Sequence, residues 1–161
     1  GTDEPQSALL LSPPGYGKTT LLREWVRYFS DRGFTAAIAD ERSEIAALAD
    51  GVPQLAVGRC TDVMEGCSKW QAAVMLLKTM SPDLLALDEI TAPEDAKAVS
   101  LCTHCGTAVI ACAHAAGLDD LRQRPIYREL LALGAFHQAV IIEKQDGQRV
   151  YRMERWEETK C

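Results

Sequence analysis

No stretch of the chain approaches the roughly 20 consecutive apolar residues that span a bilayer, so a membrane-crossing helix is not expected. A basic leader followed by a short apolar segment is also missing, and with it the pattern of a secretory signal. Basic residues are outnumbered, 17 Lys plus Arg against 23 Asp plus Glu for a formal charge of −6. Nucleic acid is therefore not an expected partner on electrostatic grounds. Internal repeats and low-complexity tracts are absent as well. Cys102-Thr103-His104-Cys105 is formally a CxxC, but a zinc site wants a second pair at comparable spacing, and Cys60 and Cys67 are separated by six residues. Reduced, partly buried thiols are expected instead, for these four, Cys112 and Cys161 alike.

What remains is a chain of 161 residues, 47% hydrophobic and 25% charged, the length of one domain with a core that needs neither disulfide nor metal. Ala8-Leu9-Leu10-Leu11 reads as a short buried strand running into the turn-forming Ser12-Pro13-Pro14-Gly15. A helix follows from Lys18 to about Ser30, with Leu21, Leu22, Trp25, Val26 and Phe29 at helical spacing. Phe34 to Ala39 reads as a second buried strand, whereas Asp40 to Gly66 gives no clear pattern. Ser68 with Gln71 is a capping box for a helix that Ser81-Pro82 stops. Leu84 to Leu87 is a continuous apolar run, as in a strand buried on both faces of a parallel sheet. Thr91 with Glu94 opens another helix, closed by Gly106, and Thr107 to Ala113 is the next strand. Asp119 to Leu133 is helical with a break at Pro125, and Asp146-Gly147 marks a hairpin between 140–144 and 149–153. The fold class is α/β: a mostly parallel central sheet flanked by helices, ending in a β-hairpin.

Two constellations carry chemistry. Pro13-Pro14-Gly15-Tyr16-Gly17-Lys18-Thr19-Thr20 lies where a buried strand turns into a helix. Glycines there permit positive φ and close approach of an anion, and the helix N-terminus favours phosphate. Lys18 then reaches the β- and γ-phosphates of ATP, and the Thr19 hydroxyl joins the Mg²⁺ shell. Ser12 stands at the first glycine position of the GxxxxGK[ST] pattern. The second constellation is Asp88-Glu89 after the apolar strand, with Asp88 placed to hold Mg²⁺ through water and Glu89 to act as general base. His114 ends the next strand, at the same sheet edge, and is a candidate for sensing the γ-phosphate. Arg42, Arg59, Arg122 and Arg124 are candidates for acting in trans on a neighbour's nucleotide.

Together these stretches resemble the ATPase domain of the stage III sporulation protein AA family and, more distantly, the type II and type IV secretion ATPases. The likeness rests on Pro13 to Arg23, Asp40-Glu41-Arg42-Ser43-Glu44-Ile45, Arg59 to Val63 with Gly66-Cys67, Met80 to Asp83 running into Asp88-Glu89-Ile90, and Ala113-His114. Ser12 to Thr19 resembles Walker A, Asp40 to Glu44 the acidic box, Asp88-Glu89 Walker B, and His114 the histidine box. The resemblance implies a RecA-like P-loop NTPase core of the ASCE type and adds Glu41 or Glu44 as an aid to water activation or metal binding. It also implies assembly into a hexameric ring, and membrane proteins of a sporulation channel as partners. Location in the mother-cell cytoplasm, peripheral to the membrane, goes with it. A family N-terminal domain is expected upstream, since the chain opens on Gly1 with the phosphate loop almost at once. Ser12, Thr91 and Ala115 stand where the family pattern has glycine, which leaves room for altered turnover. Two other classes compete: a small-molecule P-loop nucleoside triphosphatase or nucleotide kinase, with Arg122-Gln123-Arg124 as a mimic of a lid, and an ATP-controlled assembly scaffold with little turnover.

Overall fold

The computed structural model describes residues 4–49, 52–53 and 55–156. In chain order the elements are β1 (Ala8–Ser12), α1 (Lys18–Asp31), β2 (Ala36–Asp40), β3 (Leu48–Ala49), β4 (Val52–Pro53), β5 (Thr61–Glu65) and α2 (Lys69–Met80). They continue with β6 (Leu84–Glu89), α3 (Pro93–His104), β7 (Ala108–His114), α4 (Leu118–Arg122), α5 (Pro125–Ala132), β8 (Gln138–Gln145) and β9 (Gln148–Arg155). One seven-stranded sheet has the order β5-β2-β6-β7-β1-β8-β9, and a two-stranded ladder joins β3 to β4. Within the large sheet only β9 runs antiparallel to its neighbour.

The sheet is central because its strands are apolar on both faces. Leu9 and Leu11 pack with Ala72, Leu76, Val99, Leu130 and Phe136, under the helices α2, α3 and α5. Their alternates Ala8 and Leu10 face Leu22 and Val26 of α1 together with Ile45 and Val57. Each buried Leu, Ile or Phe contributes about 1.5–3 kcal/mol relative to exposure. This is the period-2 consequence of a continuous apolar run covered on both sides.

Most expected elements appear within a residue or two of their sequence boundaries. Ser68 caps α2 through the Gln71 N–H at 3.2 Å, and Ser81 ends it in the left-handed region at φ 45°. The start of α3 differs from the expected Thr91–Glu94 pairing. Ala92 is the N-cap, and the Asp95 carboxylate reaches back to the N–H groups of Thr91 and Ala92 at 2.9 and 3.1 Å. Glu94 lies one position short of that reach, and Pro93 at N1 sets the helical φ. The break at Pro125 divides α4 from α5. Within 40–66 the structure supplies β5, an edge strand paired with β2 from Ala36↔Thr61 to Asp40↔Glu65. Cys102 is buried in the core, where desolvation pushes its thiol up to about 12, while Cys105 is exposed at the helix end.

Candidate functional site

The C-terminal ends of β1, β6 and β7 bring Lys18, Thr19, Asp88, Glu89 and His114 to one cleft, of about 170 Å³, shared with Glu41, Arg42, Glu44, Lys69, Thr91 and Cys112. A larger hollow of about 500 Å³ lies elsewhere, among Ser7, Thr103, Gly106 and His137, and holds none of these groups. Convergence of charge on the strand ends makes the smaller cleft the candidate site.

Its floor is the loop from Ser12 to Lys18. Gly15 and Gly17 both take φ of 82°, a region glycine enters freely. Gly17 is the N-cap of α1, and no side chain caps that helix. The first-turn amides are thereby available to an anion in a position where the helix dipole favours it. Lys18 is buried and folds back over the loop, donating from Nζ to Ser12 O at 3.0 Å, Ser12 Oγ at 3.2 Å and Pro13 O at 3.5 Å. The Ser12 hydroxyl thus gives the ammonium an acceptor beyond the two carbonyl oxygens. Burial lowers the Lys18 pKa, opposed by the negative charges of Glu89 and Asp88. Pro13, Pro14, Gly15 and Thr20 are exposed around this floor, with Tyr16 and Gly17 half-buried.

The acidic wall comes from β6. Its pairing with β7 slips after Leu87, from Leu87↔Ala111 to Glu89↔Cys112, so Asp88 is the extra residue of a bulge. On a regular strand, Asp88 and Glu89 would point to opposite faces; the bulge lets both line the cleft. Burial raises the pKa of Asp88, and the neighbouring charge of Glu44 adds to the rise. Glu89 Oε1 lies 3.3 Å from His114 Nδ1, and Ser12 and His114 are register partners at the ends of β1 and β7. Below the wall, Tyr127 donates to Ile90 O at 2.5 Å and fixes the chain leaving β6.

The third side is the loop after β2. Asp40 is fully buried, and its carboxylate accepts the N–H groups of Glu44, Ile45 and Ala46 at 2.9, 3.1 and 2.9 Å. Arg23 of α1 holds the same loop from its carbonyl side, donating to Ile45 O at 2.6 Å and Glu44 O at 3.3 Å. Asp40 is therefore the frame of this loop, and Glu41 and Glu44 are the acids it presents. Glu41 is paired with Lys69 at 2.7 Å, and the buried Lys69 also lies 3.5 Å from Asp95.

Sequence reasoning missed Lys69 as a member of the cleft. A signal was present, because a lysine at the first position of a helix opposes the dipole and so calls for a local acid. Of the arginines considered for action in trans, Arg42 lines the cleft and Arg59 is exposed outside its lining. Arg122 and Arg124 form exposed pairs with Asp119 and Asp120 at 3.8 and 3.6 Å.

Residues 2–153 match the family described as sporulation stage III, protein AA. The chain belongs to that family. It is 36% identical over 146 residues to the stage III sporulation protein AA of Bacillus subtilis (strain 168), covering 88% of this chain and 48% of that protein. The chain thus spans about half the length of this relative. In fold, the chain is similar to the VirB11 ATPase of the Brucella suis type IV secretion system, solved with sulphate. The TM-score is 0.67 at 17% identity, over 93% of this chain and 49% of that one. The pilus retraction motor PilT, solved with ADP, gives 0.67 at 15% identity, over 97% of this chain and 48% of that one. The chain thereby shares the RecA-like fold of these two ATPase structures, a mostly parallel sheet flanked by helices. Among the described residues no helix is long and apolar enough to cross a membrane.

Proposed function

We propose that this chain is the Mg²⁺-dependent ATP-hydrolysing motor domain of a longer sporulation-type ATPase, working in a ring that energises a membrane channel complex. The observation that carries this is the meeting of Lys18, Thr19, Asp88, Glu89 and His114 in one cleft at the strand ends. Of the two structures that share the fold, the pilus retraction motor was solved with ADP and the VirB11 ATPase with sulphate, both of them ligands of the kind this loop would take. The location proposed is the cytoplasm, at a membrane reached through partner proteins.

In this reading the loop amides from Gly15 to Thr19 and the Lys18 ammonium bind the β- and γ-phosphates, and Lys18 leaves its contacts with Ser12 and Pro13 to do so. The cleft suits a hard divalent cation. Thr19 and Asp88 supply oxygen donors, and Asp88 is half-buried with the carboxylate of Glu44 lining the same cleft. Mg²⁺ bound there with the nucleotide neutralises charge on the phosphates.

Glu89 takes a proton from the attacking water as its oxygen bonds to the γ-phosphorus. The bond from that phosphorus to the β–γ bridging oxygen breaks, and ADP leaves with the electron pair. His114, 3.3 Å from Glu89, holds that carboxylate toward the cleft. Glu41, tied to Lys69, lines the cleft from the loop after β2.

Steady-state ATP hydrolysis over a range of protein concentrations, beside Lys18→Ala and Glu89→Gln, tests the proposal. Turnover per molecule that rises with concentration and vanishes in both variants is expected of a ring-forming motor. Tight ATP binding without turnover at any concentration overturns hydrolysis, and favours a scaffold whose nucleotide controls assembly. Phosphate transfer to a nucleotide in place of water would favour a kinase.

A further inference from the structure

The C-terminal hairpin places two cations against the phosphate loop that none of the site's boxes includes. β8 pairs with β1 only as far as Leu11↔Ile141, so Ile142 to Gln145 run on past the sheet edge, about 13 Å of strand beside the loop. Lys144 and Arg149 are direct register partners across the hairpin. The Lys144 ammonium sits 4.6 Å from the centre of the Tyr16 ring. A Cβ placed on Gly17 would lie 2.7 to 3.0 Å from three atoms of the Arg149 guanidinium, so that group rests on the loop backbone itself.

Both side chains are exposed to solvent beside the loop. Like charges directly opposite on a ladder repel. Among the described residues neither cation has a carboxylate partner, since the nearby Glu143 is taken by Arg152 at 3.2 Å. Two cations held against a loop with free amides, and without a carboxylate partner, are explained if an anion binds beside them at the loop.

Sheet order says which part of the nucleotide this would be. Glu89 and His114 stand on β6 and β7, on one side of β1, and the hairpin stands on the other. The γ-phosphate belongs at the Glu89 side, so the hairpin meets the end of the nucleotide that is retained in ADP.

We infer that Lys144 and Arg149 complete the nucleotide site, binding the phosphates of the ADP portion while Tyr16 and Gly17 give them their approach. The inference rests on the ATP-site reading above. It explains a glycine at position 17 beyond its φ, because any side chain there would displace the guanidinium. It also makes the hairpin responsive to whether a nucleotide is present.

The test is equilibrium binding of fluorescent ADP and ATP to the 161-residue chain and to Arg149→Gln, Lys144→Gln and Lys18→Ala, over a salt series. The dissociation constant for ADP is expected to rise about tenfold in Arg149→Gln and several-fold in Lys144→Gln, by nearly equal factors for ATP, with a weaker salt dependence. Without nucleotide, the unfolding midpoints of both variants should equal or exceed the wild-type value, because a repulsion has been removed. A merely structural pair would lower them.

ADP affinity within twofold of wild type in both variants overturns the inference alone, provided that Lys18→Ala still abolishes binding. Loss confined to ATP overturns the assignment to the ADP portion. No binding of either nucleotide by the wild type overturns the site reading and this inference with it.

Discussion

Replacing Asp40 tests whether the acidic loop is framed from within. The wild-type carboxylate takes two N–H groups on Oδ1, from Glu44 and Ile45, and one on Oδ2, from Ala46. Asp40→Asn keeps a carbonyl oxygen for the first two but turns an amide NH₂ toward the Ala46 N–H. One bond to a charged acceptor is lost and one buried donor is left without a partner, which costs about 1.5–3 kcal/mol. Asp40→Ala orphans all three donors. Its cost is roughly 4 kcal/mol, held below the sum of three bonds because the loop can relax toward water. At about 2–4 °C per kcal/mol for a chain of this size, the unfolding midpoint should fall by roughly 4–10 °C in Asn and further in Ala. Urea unfolding with an unchanged m-value reads the free energy directly. ATP hydrolysis should fall in parallel, because Glu41 and Glu44 ride on the same loop. A loss under about 0.5 kcal/mol in Asp40→Asn would refute the argument that this carboxylate holds the loop.

Other perturbations separate the roles of the remaining residues. Asp88 has a raised pKa in the fold, so its stabilising proton is present at low pH and lost as pH rises through the folded value. Asp88→Asn should therefore make the nucleotide-free protein more stable at neutral pH and flatten that decline in urea titrations, while abolishing stabilisation by Mg²⁺ with ATP. Gly15→Ala meets no atom within 4 Å and should cost only the left-handed backbone, about 1–2 kcal/mol. Gly17→Ala adds contact with Arg149, and in a double-mutant cycle by thermal unfolding, Arg149→Ala should recover the excess. Lys69→Met leaves Glu41 and the buried Asp95 without their cation and should destabilise by about 1–3 kcal/mol in urea, part of which returns when Glu41→Gln is added. Glu89→Gln should retain ATP and stop turnover in a single-turnover assay, by 10² or more, whereas His114→Ala should lower the rate less because it only orients that carboxylate.

The legible parts of the fold are those whose signal is local. Leu84 to Leu87 and Thr107 to Ala113 read as buried strands because both faces of the sheet are covered, so nothing interrupts the apolar run. The turn from Ser12 into α1 is legible because its proline and glycine signals follow one another along the chain. β5 was invisible for the opposite reason: Thr61 to Glu65 is a half-exposed edge, and only its ladder with β2 makes it a strand. Asp40 read as one acid of a box, because sequence does not show that its oxygens turn inward to three amides. Lys69 and Arg149 depend on contacts across 28 and 132 positions, which only the topology brings about.

Charge is divided across β1. On the β6 and β7 side stand Asp88, Glu89 and the acids of the loop after β2, and burial, with the charge of Glu44 adding to it, raises the pKa of Asp88. On the β8 and β9 side stand Lys144 and Arg149, opposed to each other across a hairpin. Neither arrangement is at its minimum of energy alone, and Lys18 between them is pulled down onto carbonyl oxygens. A ligand that presents anionic phosphates to the hairpin and loop, and a divalent cation to the acids, would relieve all three at once. MgATP has that form, and MgADP keeps the half that faces the hairpin. Hydrolysis would therefore change the acidic side first and leave the basic side engaged until ADP departs. That order gives a motor two separable signals from one site, and it predicts that Arg149→Gln speeds ADP release while leaving the cleavage step near its wild-type rate. Pre-steady-state phosphate release beside fluorescent ADP release measures both. A slowed cleavage step with ADP release unchanged would refute this division of labour.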